Sequence, residues 1–219
     1  MAQYYTDFSD IDFGTDFTHT GSWSLNSTDN DAAPAGLAIT GASTAGWCRW
    51  LAVPDVANET DCEVRALVAR YSTTSSSGAG AAMGVGGLVT ARRGIGTVLR
   101  GIASRVRATG AVLNSGSINT NAYVPPDPQI NLDVGVAYWV SIARVSGSYT
   151  CRVHSYPDKA LIQEWAISPP ESNQYGVGFF GGSVDNEMLC LAVGTAGDPA
   201  PYGPPADARR RAPLFMTPW

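Results

Sequence analysis

The sequence predicts an all-β sandwich, on three observations. Residues 60–70 alternate in polarity, two strand-like runs are joined by a short Ser-Gly-Ser segment, and no stretch keeps a helical period over three turns. Composition agrees. Charged residues make up 15% of the 219 positions, with 24 Gly and 14 Pro, which favours short strands and many turns over long salt-bridged helices. A hydrophobic content of 44% supplies one substantial core and rules out disorder throughout.

In the first strong strand, Cys62, Val64, Ala66 and Val68 fall on one face, with Asp61, Glu63 and Arg65 on the other. That is the pattern of a half-buried strand. Residues 72–87, rich in Ser, Gly and Ala, read as a loop leading into a weak strand. Residues 88–112 are apolar but punctuated by Arg92, Arg93, Arg100, Arg105 and Arg107. They read as two or three strands, with a short helix over residues 97–106 as the alternative. Tyr123-Val124-Pro125-Pro126-Asp127-Pro128 is a turn or extended connector, because proline cannot donate to a ladder. Residues 138–145 and 149–154 flank Ser146-Gly147-Ser148 as a hairpin. Residues 175–180 and 188–193 are two further strands, whose aromatic and small residues suit packing between sheets. From Asp198 the composition changes. Pro199, Pro201, Pro204, Pro205, Pro213 and Pro218, with Arg209-Arg210-Arg211, describe an extended arm. The expected division is a sandwich over residues 1–201 and a C-terminal arm over residues 202–219.

Several function classes are disfavoured. A net charge of −5 argues against nucleic-acid binding, which needs concentrated positive charge. No run is long and apolar enough to span a bilayer. The start, Met1-Ala2-Gln3-Tyr4-Tyr5, has neither the basic nor the apolar part of a signal peptide, which predicts folding in a cytoplasm. Cys48, Cys62, Cys151 and Cys190 are scattered and read as buried small hydrophobes that stay thiols. Asn26-Ser27-Thr28 and Asn58-Glu59-Thr60 match the glycosylation pattern by chance on that account.

No catalytic or cofactor-binding residues are expected, and the chain reads as a non-enzyme. Asp10-Ile11-Asp12 puts two carboxylates on one face of what reads as a solvated N-terminal strand. Glycosidases of this kind need a further alternating acid, and the flanking positions are Phe8 and Gly14. His19 and His154 lie near no nucleophile elbow, and His154, alternating with Arg152 and Tyr156, reads as a surface histidine. Gly176-Val177-Gly178-Phe179-Phe180-Gly181 matches the dinucleotide-binding pattern literally but sits in an aromatic strand with no helix to follow. Asp185, Asn186 and Glu187 offer oxygen ligands in a loop. They are weak calcium candidates, because the ligand set is incomplete and a plain polar turn accounts for them. Trp23, Trp47, Trp50 and Trp165 read as core anchors.

Taken together, the aromatic-rich run 138–145, its return strand 149–154, the Gly/aromatic run 176–181 and the closing run 191–201 form a recognisable series. With the opening Tyr5-Thr6-Asp7-Phe8-Ser9-Asp10 followed by Trp23, they resemble the concanavalin A-like lectin/glucanase domain found in bacteriophage structural proteins. The resemblance covers roughly half the chain and leaves out residues 71–130. It implies a jelly-roll-like sandwich of two curved antiparallel sheets, each of about six strands. By the same resemblance the chain is a virion structural protein of capsid decoration or cement type. Its partners are then other virion subunits, major capsid or tail proteins, and further copies of itself, and its location is the virion, assembled in the host cytoplasm. The alternative is a carbohydrate-binding receptor-recognition module on a tail tip or head fibre. The expected partner-binding residues lie in the arm. Leu214, Phe215, Met216 and Trp219 form an apolar tip, and full burial of each favours association by roughly 1.5–3 kcal/mol. Arg209, Arg210 and Arg211 would steer it toward acidic surface. The competing expectation is that the tip docks on its own sandwich.

Overall fold

The computed structural model describes residues 3–8, 11–19, 23–27, 37–41, 46–54, 56–57, 61–70, 78–84, 94–96, 98–102, 105–109, 112–114, 121–123, 136–167, 174–181 and 186–196. In chain order the first elements are β1 (Tyr4–Thr6), a one-turn helix α1 (Phe13–Asp16), β2 (Phe17–His19), β3 (Trp23–Ser27), β4 (Leu37–Gly41) and β5 (Gly46–Trp50). Next come β6 (Val56–Ala57), β7 (Cys62–Arg70), β8 (Gly78–Gly84), β9 (Gly94–Gly96), β10 (Val98–Ile102) and β11 (Arg105–Thr109). The last are β12 (Val112–Asn114), β13 (Asn121–Tyr123), β14 (Ala137–Val145), β15 (Ser148–Ser155), β16 (Leu161–Ile167), β17 (Gln174–Gly181) and β18 (Asn186–Gly194).

Sixteen of these strands build two eight-stranded antiparallel sheets, and β12 and β13 pair with each other separately. The first runs β16-β15-β14-β7-β18-β4-β3, with β1 also on β18; the second runs β11-β10-β8-β17-β5-β2, with β6 on β17 and β9 on β8. The expectation of about six strands each was low. Residues 98–102 and 105–109 form a strand pair, Val98 opposite Thr109 and Ile102 opposite Arg105, so the strand reading of that region holds over the helical one.

The inter-sheet core follows from period-two alternation. Val64, Ala66 and Val68 of β7, Val140 and Ile142 of β14, and Leu191 and Val193 of β18 all point inward. They meet Phe17, Cys48 and Trp50 of the second sheet. Trp50 stacks on Phe17 at 6.1 Å between centroids and takes Tyr4 edge-on at 6.1 Å. It is the inter-sheet anchor the sequence suggested, and Trp23 packs against the same core. The side chains of Trp47 and Trp165 lie outside the described residues.

The hairpin appears as expected. Its loop is two residues, Ser146 (φ 48) and Gly147 (φ 79), between the paired Val145 and Ser148. Positive φ at both central positions is what the right-handed twist of the flanking strands asks of a two-residue turn. The Ser146 N–H donates to Asp61 Oδ1 at 2.8 Å, tying the turn to the start of β7.

Three expectations are corrected. Residues 11–14 are not a strand, and Asp10 lies outside the described residues: Asp12 caps α1, accepting from the Gly14 N–H at 3.0 Å while its own N–H donates to Asp16 Oδ2 at 2.9 Å. A capping carboxylate satisfies amides that a strand would have paired across a sheet. Next, β7 is buried on both faces rather than one, with Glu63 at 2% and Arg65 at 5% exposure. Those two charges neutralise each other, which is what lets a central strand bury them. Finally, His154 is buried at 9% exposure, because it sits beside Trp139 on β15, one strand in from the sheet edge.

Candidate functional site

A cluster of chemistry-bearing side chains gathers on the face of the first sheet turned away from the second. On β7 this face carries Glu63, Arg65, Leu67 and Ala69; on β14, Trp139, Ser141 and Ala143; on β15, Thr150, Arg152 and His154. Register sets them in rows. Arg65 lies opposite Ser141, Ser141 opposite Arg152, and Arg152 opposite Glu164 of β16, a polar row across four strands. One row along, Leu67, Trp139 and His154 lie side by side. A bulge between Val153 and His154 then brings Leu161 opposite His154.

The charges pair within the face. Arg65 Nη2 meets Glu63 Oε2 at 2.6 Å. Arg152 Nε meets Glu164 Oε2 at 2.6 Å, and its Nη1 stands 4.0 Å from Glu63 Oε2. Burial works to raise the Glu63 carboxyl, but the hydrogen bond and charge of Arg65, helped by Arg152, hold it below the usual carboxylate value. Burial lowers the His154 imidazole, and Arg152 and Arg65 add to that against the pull of Glu63 and Glu164. On the same face, the Tyr5 hydroxyl lies 3.3 Å from Cys190 Sγ. Burial pushes the Cys62 and Cys190 thiols up to about 11 and the Cys48 thiol up as well.

This protonation pattern bears on catalysis. A general acid needs a raised carboxyl and a nucleophilic cysteine a lowered thiol, and these groups are shifted the other way. Among the described residues no group of three or more His, Cys, Asp or Glu is placed to hold a metal ion. Nor is any described helix long and apolar enough to cross a membrane.

The sequence-derived candidates fall elsewhere. Asn186 and Glu187 are not in a loop: they open β18, paired with Arg70 and Ala69 of β7, and Asp185 lies outside the described residues. β18 begins two residues before the strand start expected at 188, which accounts for the difference. Arg209, Arg210, Arg211, Leu214, Phe215, Met216 and Trp219 also lie outside the described residues, as does the boundary at residue 201. What sequence reading passed over is the Glu63, Arg65, Arg152 and Glu164 set. The signal within one strand was there, Glu63 and Arg65 being two apart on one face. The Arg152–Glu164 pairing depends on a bulged register that no short-range pattern reveals.

No protein-family model and no curated protein sequence matches the chain. Solved structures do. A protein of unknown function from Shewanella oneidensis MR-1 superposes with TM-score 0.59 at 11% identity, over 87% of this chain and 85% of that one. The exoplasmic/lumenal domain of VIP36, in its Ca2+/Man3GlcNAc-bound form, gives 0.52 at 12% identity, over 90% and 88%. A carbohydrate esterase from the Shiga toxin-encoding bacteriophage phi24B gives 0.53 at 8% identity, over 88% and 96%. The fold is therefore a concanavalin A-like, lectin-type β-sandwich, and the likeness extends well beyond the half of the chain that sequence features covered.

Proposed function

We propose that the chain is a non-catalytic binding module of a bacteriophage particle, attached to other virion subunits in the manner of a capsid decoration protein. The observation that carries the non-catalytic part is the state of the outer sheet face. Its best-buried carboxylate is held ionised against Arg65, and on the same face burial holds the Cys190 thiol protonated. Such a face stiffens a platform, and Glu63, shifted down, is not poised as a general acid. The phage context draws support from the sandwich shared with a phage protein and from the sequence resemblance. Peptide mass analysis of purified particles from a producing lysate tests it. The chain is expected in the particle fraction at a copy number comparable with other structural subunits. Finding it solely in the soluble fraction contradicts the reading.

The likeness to VIP36 in its Ca2+/Man3GlcNAc-bound form favours a second reading, carbohydrate recognition. A glycan array probed with the purified protein, with and without calcium, separates the two. Saturable, calcium-dependent binding to one glycan class supports recognition, and its absence leaves attachment to virion subunits.

A further inference from the structure

We draw no further inference here: the strongest candidate, the apolar start of β16 at Leu161 and Ile162, on the edge of the first sheet among the described residues, carries nothing, because nothing in the structure shows what covers it.

Discussion

Arg65 and Glu63, two positions apart on β7, meet Nη2 to Oε2 at 2.6 Å with side chains 6% and 2% exposed. Removing one partner takes from the other buried charge its closest counter-charge, whereas replacing both with apolar groups does not. Glu63→Gln is therefore expected to cost about 3–5 kcal/mol in urea denaturation, and Glu63→Leu/Arg65→Met far less. Glu164→Gln is the control: its carboxylate is 46% exposed, so losing the pair with Arg152 should cost about 0.2–1 kcal/mol. Equal losses for Glu63→Gln and Glu164→Gln would show that burial does not govern this row.

Acid should weaken the fold in two stages. His154 is lowered from the ordinary histidine value of 6.5, so the unfolded chain binds its proton first and stability falls as pH drops below about 6.5. Glu63 is likewise lowered from 4.5, so its contribution is present above that value and lost as pH falls further. Chemical denaturation across pH 3–8 should show both slopes (about the reference values). His154→Gln should remove the upper one and leave the lower. An unchanged upper slope in that variant would mean that another group titrates there.

Two glycines separate clash from strain. A Cβ on Gly178 would stand 1.9 Å from the Cys48 carbonyl oxygen, a backbone atom of the neighbouring strand β5. At Gly147 nothing lies within 4 Å, but φ is +79°. Gly147→Ala should cost about 1–2 kcal/mol from left-handed backbone alone. Gly178→Ala must push β17 from β5 and should be the more damaging, reaching or exceeding the ~3 kcal/mol seen for overpacked cores. Thermal melts of the two variants check the order.

The cysteines give a chemical test of the layering. Cys48, Cys62 and Cys151 lie in the inter-sheet core, while Cys190 packs on the opposite face of the first sheet. Three strand steps separate β15 from β18, so Cys151 and Cys190 are ~14 Å apart, beyond the reach of a disulfide. Alkylation without reductant should label four thiols in guanidinium and very few in the native protein. Joint protection of Cys151 and Cys190 in guanidinium would contradict this placement.

The contrast between β7 and residues 78–109 shows what was legible. The alternation of Cys62, Val64, Ala66 and Val68 announced a strand and its core face directly. Its second face looked solvated because Glu63 and Arg65 are charged, and their mutual neutralisation depends on three-dimensional contact. β8 to β11 are short and Gly- or Arg-rich, with weak periodicity, and acquire their identity by pairing with one another and with β17. Asp12 read as a strand residue because alternation with Asp10 mimics period two, and a single capping bond outweighs it.

The central claim, a lectin-type sandwich that binds without turning its ligand over, is tested most directly by product release from bacterial surface polysaccharides. Purified protein incubated with them should liberate neither reducing ends nor acetate above a heat-inactivated control. Release of either, abolished by Asp12→Asn or Glu164→Gln with the fold intact, would contradict the account and make the chain an enzyme.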